Sequence, residues 1–178
     1  MDVEIWFIIN TTGGCKMNDN ELYELFHSKY RYEDGQLISK LTGQAIKNKA
    51  TRYLKCELKI NGKTHNFRVH RVIFLMHHGY LPTIVDHIDR DIYNNRIENL
   101  RAASHSQNSQ NRGAQSNNKL GVKGVCLNTS NNAKSKPYAA FIKANGKRYR
   151  IGSFETIEEA SRAYNDHASL HFGEFKSS

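Results

Sequence analysis

The 178-residue chain predicts an α+β protein whose strands are gathered into small antiparallel units. Three observations lead there. Two Asn-Gly dipeptides, Asn61-Gly62 and Asn145-Gly146, each sit between strand-like runs, a strong short-range hairpin signal. Apolar residues at helical spacing are confined to stretches that begin near Asn18, His70 and Thr156. Between the second and third of these lies a long polar stretch, Val85 to Asn111, with few apolar residues to fill a core.

Taken in order, Met1 to Met17 fits either an edge strand ending at Gly13-Gly14 or an extension upstream of a start at Met17. A short amphipathic helix follows, capped by Asn18 or Asp19, with Leu22, Leu25 and Phe26 on one face. Tyr30 to Tyr32, a turn at Glu33-Asp34-Gly35, and Gln36 to Ser39 form a first hairpin. Tyr53 to Ile60 and Thr64 to Val69 form a second, a platform that could also face DNA. His70 to Gly79 reads as a short buried helix closed by glycine. Val72, Ile73, Leu75 and Met76 belong to its core face, and His77 and His78 are structural or exposed at its end, where the dipole suits histidine.

After the polar stretch, residues 113–119 are small and polar, a linker by composition. A last module then runs from Leu120 to the end. Strands are expected at Val122 to Leu127, Tyr138 to Lys143 and Arg148 to Ile151, the first two joined by a polar loop from Asn128 to Pro137. Thr156-Ile157-Glu158-Glu159 matches a capping box. The helix behind it brings Ile157, Ala160, Tyr164, Ala168 and His171 to helical spacing, and Gly173 ends it. The small alanines let that helix lie close on a sheet. The expected divisions are therefore 1–66, 67–112, the linker 113–119, and 120–178.

Composition narrows the partners. Twenty-six Lys+Arg against 17 Asp+Glu give a net charge of +9, which favours a polyanion because each neutralised phosphate releases condensed counterions. Between Asn117 and Ser153 stand Lys119, Lys123, Lys134, Lys136, Lys143, Lys147, Arg148 and Arg150, with no acid among them. Glu155, Glu158, Glu159 and Asp166 follow, against Arg162. A basic sheet backed by an acidic helix is a one-sided electrostatic footprint. The three cysteines, Cys15, Cys56 and Cys126, are scattered and odd in number, which supports neither a disulfide scaffold nor a cysteine zinc site and points to a reducing interior. No apolar run approaches a membrane span, and Ile5 to Ile9 lacks the basic leader of a signal peptide.

The polar stretch holds groups suited to hydrolysis. Imidazole is the side chain that takes a proton from water near neutral pH, and His87 offers it beside a hard oxygen donor, Asp86. A short helix starting near Ser104 would put Ser104, Asn108 and Asn111 on one face, with Asn108 offering a neutral carbonyl oxygen. Such a helix is not stable on propensity alone and needs partners. Adjacent residues of a regular strand point to opposite faces, so Asp86 and His87 share a site only where the strand twists or ends. Spacing alone fits a catalytic site and a set of turn residues equally well.

Asp86-His87, with Asn99-Leu100-Arg101 thirteen to fifteen residues after the aspartate and Asn108 and Asn111 beyond, resembles the HNH nuclease motif of phage and intron-encoded homing endonucleases. Val69-His70-Arg71-Val72 and Gly79-Tyr80-Leu81-Pro82 resemble the lead-in of that group. The resemblance covers about Val69 to Asn111. It implies a ββα-metal core over 67–112 gripping one divalent ion, Mg²⁺ or Mn²⁺, with no zinc. It makes His87 the general base, Asp86 and Asn108 the metal ligands, and Asn99 the residue that holds the loop and so orients His87. Asn108 stands in place of the last histidine of the motif, and Asn111 and Arg101 are supporting. Arg90 departs from the pattern, standing where the family often has glycine, which bears on the turn after Ile88-Asp89.

The last module is similar to the AP2/ERF-type DNA-binding domain over about Leu120 to Phe175. The matching residues are Lys123-Gly124-Val125, Tyr138 to Ile142, Arg148 to Phe154, and Glu158-Glu159-Ala160 with Ala163-Tyr164. That resemblance implies a three-stranded antiparallel sheet laid in the major groove with one helix packed behind it, and Lys123, Lys143, Arg148 and Arg150 as DNA contacts. Cys126, Asn128 and Phe141 stand where the plant proteins carry arginine, arginine and glutamate, so the target sequence does not carry over and phosphates carry more of the binding. The combined expectation is a metal-dependent DNA endonuclease acting on double-stranded DNA as a cytoplasmic monomer with no membrane partner. Its rivals are a non-catalytic AP2-type regulator with the polar stretch reduced to scaffold, and an RNA-binding protein suggested by charge alone.

Overall fold

The computed structural model describes residues 17–47, 52–115, 117–129, 133–144 and 146–175, and the chain divides into two compact units that meet between Ser104 and His105. Met1 to Lys16, Asn145 of the second Asn-Gly turn, and residues 130–132 of the polar loop lie outside the described residues. Both units mix helices with small antiparallel sheets. No helix among the described residues is long and apolar enough to cross a membrane.

In the first unit, α1 (Asp19–Lys29) starts on a complete capping box: the Asn18 side chain accepts the Glu21 N–H, and the Glu21 carboxylate accepts the Asn18 N–H. It runs into the hairpin β1 (Tyr30–Glu33) and β2 (Gln36–Ser39). The second hairpin, β3 (Lys55–Ile60) and β4 (Lys63–Arg68), closes at Asn61 and Gly62 with φ of 50° and 77°, the pair of positive angles its sequence called for. Cys56, Leu58 and Ile60 alternate inward along β3. The chain then enters α2 (Val69–His78), buried over most of its circumference, and leaves it through Gly79 at φ 74°, whose N–H bonds the Leu75 carbonyl. Ile73 and Leu75 are wholly buried, each contributing roughly 1.5–3 kcal/mol of apolar transfer.

One apolar core serves this whole unit. It runs from Leu22 and Phe26 through Cys56 and Leu58 to Val72, Ile73, Val85 and Leu100. Packing is therefore continuous across the position expected to divide residue 66 from 67. A two-stranded hairpin has one apolar face and needs a partner, and α2 is that partner. The loop after α2 is fixed by side chains. Arg71 donates to the Thr83 and Pro82 carbonyls, 3.2 Å each, and the Leu81 N–H bonds Asp19 Oδ2 at 2.9 Å. Those bonds set the start of β5 (Ile84–His87), which pairs antiparallel with β6 (Leu100–Ala103).

The second unit begins with α3 (His105–Gln110). Its sheet has the order β7 (Val125–Leu127), β8 (Tyr138–Ala144), β9 (Lys147–Phe154), all antiparallel. Helix α4 (Ile157–Phe172) packs Ala160, Tyr164, Ala168 and Phe172 against Val125, Ala140 and Ile142. β7 is shorter than the sequence suggested. Asn118 draws the Val122 carbonyl into a turn at 2.6 Å, and Gly124 takes φ 75°. A Cβ on Gly124 would lie 2.2 Å from the Tyr164 ring, so glycine is what lets α4 approach. β9 runs three residues further than expected, with a register shift at Ala140/Phe141. Thr156 caps α4 by accepting the Glu159 N–H, whereas the Glu159 carboxylate turns to the Glu155 N–H, so only half of the expected box forms.

Candidate active site

The β5–β6 hairpin displays the polar stretch on two faces. Asp86 lies opposite Arg101 and His87 opposite Leu100. Val85 and Leu100 belong to the core, so their face, with His87, looks toward α2. Asp86 is on the other face. Its Oδ2 accepts from Arg101 Nε and Nη2, both at 3.1 Å, in an ion pair whose side chains are 11% and 7% exposed. Hydrogen-bonded charges so nearly buried hold their geometry tightly.

His87 is the last residue of β5 and 6% exposed. Its Nε2 lies 3.0 Å from Asn95 Oδ1, and its ring meets the His70 ring at 4.9 Å and 62°. His70, on α2, is itself buried and touches Tyr53. Burial, then the charges of His87, Arg68 and Arg71, push His70 down to about 3, so it stays neutral at physiological pH. Arg68 stacks over the other side of this cluster, 4.8 Å from the Tyr53 ring.

Between the strands, the chain from Ile88 to Asn95 is cross-linked by amides and carboxylates. Asn99 Oδ1 accepts the Asp89 N–H at 3.0 Å, and its Nδ2 donates to Asp89 Oδ1 (2.9 Å) and the Asn94 carbonyl (2.8 Å). Asn94 Nδ2 donates to Asp89 Oδ2, and Asp89 Oδ1 also accepts the Asp91 N–H. Burial, the largest influence on the Asp89 carboxyl, pushes it up. The Asn94 and Asn99 amides, the Asp91 N–H and nearby His87 together outweigh that and hold it below its ordinary range. The first hairpin braces the far side: the Tyr32 hydroxyl accepts the Ile97 N–H at 3.2 Å, and Arg96 pairs with Asp34 at 2.9 Å. Arg90 adopts φ 69°, the left-handed conformation that glycine would take more easily, and its N–H closes the turn on the His87 carbonyl at 3.0 Å.

Asn108 and Asn111 belong to the second unit. Asn108 is half-buried on α3, and Asn111, 3% exposed, follows the helix with its N–H on the Gln107 carbonyl. The sheet of that unit carries its cations on the face away from α4. Lys143 pairs with Arg148 and Phe141 with Arg150, and the Arg148 guanidinium lies 3.8 Å over the Phe141 ring. Lys143, Arg148 and Arg150 are exposed. Arg150 also reaches Asn128 and Ser153. Lys123 differs from these three, because its ammonium is bonded to the Gln110 carbonyl at the end of α3.

Two residues of the His87 environment were given no site role from sequence: His70, read only within the lead-in Val69 to Val72 and the buried helix, and Asn95. His70 precedes Ile73 by three on the buried face of α2, which is a readable signal that its ring turns inward. Asn95 carried no such signal. It stands in a run of polar turn residues, and only the folded loop selects it over Asn94.

The donor chemistry suits a hard ion. Asp86, in the first unit, carries a hard carboxylate donor, and Asn108, in the second, carries an amide oxygen. Among the described residues, no group of three or more His, Cys, Asp or Glu is placed to cage a metal.

Comparison with known proteins shows what this part of the chain is similar to. Residues 67–110 match the family model described as HNH endonuclease. A curated protein of Acanthamoeba polyphaga mimivirus, "Uncharacterized HNH endonuclease L560", is 39% identical over 111 residues, spanning 61% of this chain and 54% of that protein. The chain thus spans about half the length of the curated relative it matches. A solved structure entitled "DNA binding and cleavage by the HNH homing endonuclease I-HmuI" aligns over 68% of this chain and 70% of that one, at 27% identity and a TM-score of 0.38. That score does not establish a common overall fold. The polar hairpin built around Asp86, His87 and Asn99 lies within residues 67–110, the part of the chain that is similar to the HNH endonuclease family.

Proposed function

We propose that the protein is a divalent-metal-dependent DNA endonuclease of the homing type, cutting double-stranded DNA by phosphodiester hydrolysis. The observation that carries this reading is the HNH endonuclease match over residues that end β5 on a buried, hydrogen-bonded His87, with the buried Asp86 carboxylate on the other face of the strand. His87 takes a proton from a water molecule, the water oxygen bonds to phosphorus, and the bond from phosphorus to the 3′ oxygen breaks. Asp86 and Asn108 would hold the ion, which when bound supplies positive charge beside the departing 3′ oxygen. Arg101 fixes the Asp86 carboxylate, and Asn99 fixes the loop whose turn closes on the His87 carbonyl. The second unit acts as an AP2-like sheet that binds DNA, with Lys143, Arg148 and Arg150 on phosphates and Lys123 in support. The reaction belongs to a reducing cytoplasm, with the protein acting as a monomer.

The test incubates supercoiled and linear DNA with the full chain and Mg²⁺ or Mn²⁺, with and without EDTA, beside His87→Ala. Cleavage by the parent that EDTA abolishes is expected. A fall of roughly 10²- to 10⁴-fold in His87→Ala, with DNA binding retained, is expected as well. Equal cutting by the variant would remove His87 as general base. EDTA-indifferent binding with no cleavage would favour a non-catalytic DNA-binding regulator.

A further inference from the structure

We propose that Asn95 is a positioning residue that fixes the neutral His87 ring as its Nε2–H tautomer and so puts the proton-accepting lone pair on Nδ1. The inference rests on the nuclease reading for its catalytic meaning, but its structural content stands apart from it. Asn95 Oδ1 sits 3.0 Å from His87 Nε2, and the two residues are 2% and 6% exposed. An amide oxygen only accepts, so the ring nitrogen that faces it carries the hydrogen. A neutral imidazole has one N–H, which leaves the lone pair on the other nitrogen.

One further contact keeps the ring from turning over, and the loop around Asn95 is held in turn. His70 meets its flank at 4.9 Å from α2, inside the core of the first unit. Asn95 is itself set by its neighbours: the Asn94 carbonyl accepts from Asn99 Nδ2, and Arg96 is tied to Asp34. The loop that Asn99 orders therefore delivers Asn95 to the ring. Holding a catalytic imidazole in one tautomer is a role a third residue can fill without touching substrate.

The experiment reads the ring directly. Long-range proton–nitrogen spectra of the full chain with ¹⁵N-labelled histidine, taken at alkaline pH and assigned with His87→Gln, report which nitrogen carries the hydrogen. The parent should show a slowly exchanging Nε2–H at His87 and an unprotonated Nδ1. Asn95→Asp, which keeps an acceptor, should retain that signature. Asn95→Leu should lose the slow exchange and reduce kcat by about 10- to 100-fold with KM unchanged. An Nδ1–H ring in the parent overturns the assignment even if no variant folds, and so does an Asn95→Leu protein that keeps both the signature and kcat. A parent that shows the Nε2–H signature and cuts no DNA with any divalent ion supports the tautomer assignment and defeats the nuclease reading instead.

Discussion

The β5–β6 hairpin and the outer face of the C-terminal sheet both carry polar groups, yet they hold them in opposite ways. In the first, Asp86, His87, Asn95 and Asn99 are all 9% exposed or less, and each is tied by a hydrogen bond. In the second, Lys143, Arg148 and Arg150 stand in solvent, with one guanidinium resting on an aromatic ring. On the proposed reading, in which the hairpin transfers a proton and the sheet attracts phosphates, the difference reflects what each job tolerates. Proton transfer needs atoms held within a few tenths of an ångström, which buried and mutually bonded groups achieve. Attraction to phosphates works through mobile charges in water and needs only the sign and the side.

Variants can break or sharpen that contrast. The largest effect should come from Arg101→Met, which leaves the buried Asp86 carboxylate without its cation. Stability of the first unit should fall by about 3–5 kcal/mol in urea unfolding followed by circular dichroism. A loss under 1 kcal/mol would mean that the pair is no more structural than a surface bridge.

Next is Gly124→Ala in the second unit, where the added methyl meets the Tyr164 ring and the backbone is left-handed. A cost of roughly 2–4 kcal/mol is expected, seen as faster amide hydrogen exchange in β8 with β5 unchanged. His70 supplies a pH effect of intermediate size. Its pKa is lowered in the folded state to about 3, so below its ordinary value near 6.5 the unfolded chain binds a proton that the folded chain does not. The stabilisation is full above that value and is lost as pH falls toward 3, at about 1.4 kcal/mol per pH unit. His70→Phe should flatten that slope between pH 4 and 6, and an unchanged slope would assign acid sensitivity elsewhere.

The smallest effect on folding belongs to the sheet cations. Combining Lys143→Gln, Arg148→Gln and Arg150→Gln should leave stability within about 0.5 kcal/mol while lowering the salt dependence of DNA binding by about three units of slope. An unaltered slope would move the DNA interface off that face.

The elements were legible because their signals are local. Asn61-Gly62 closes β3 onto β4, Asn18 and Glu21 start α1, and Gly79 and Gly173 end α2 and α4, each as its own chemistry requires. The boundaries of β7 were not, because a strand end is decided by what competes for its carbonyls, here the Asn118 side chain. Asn99 was marked as the residue that holds the loop; its side chain makes three bonds, to Asp89 and Asn94. Arg90 was marked as an awkward occupant of a tight turn, and it takes a left-handed angle there.

By itself, the sequence determined which groups the chain carries: a carboxylate, an imidazole and amides spaced as in the HNH motif they resemble, and a basic strand-rich module behind them. These follow from residue type and distance along the chain. Only the tertiary structure decided how those groups are paired. It turned consecutive Asp86 and His87 to opposite faces of one strand, gave Asp86 to Arg101, and set His87 between Asn95 and His70. Asn95 was one polar turn residue among several until the loop closed. The partner of a buried polar atom is whichever group packing brings within 3 Å, and packing depends on the core that Leu22, Ile73 and Leu100 build together.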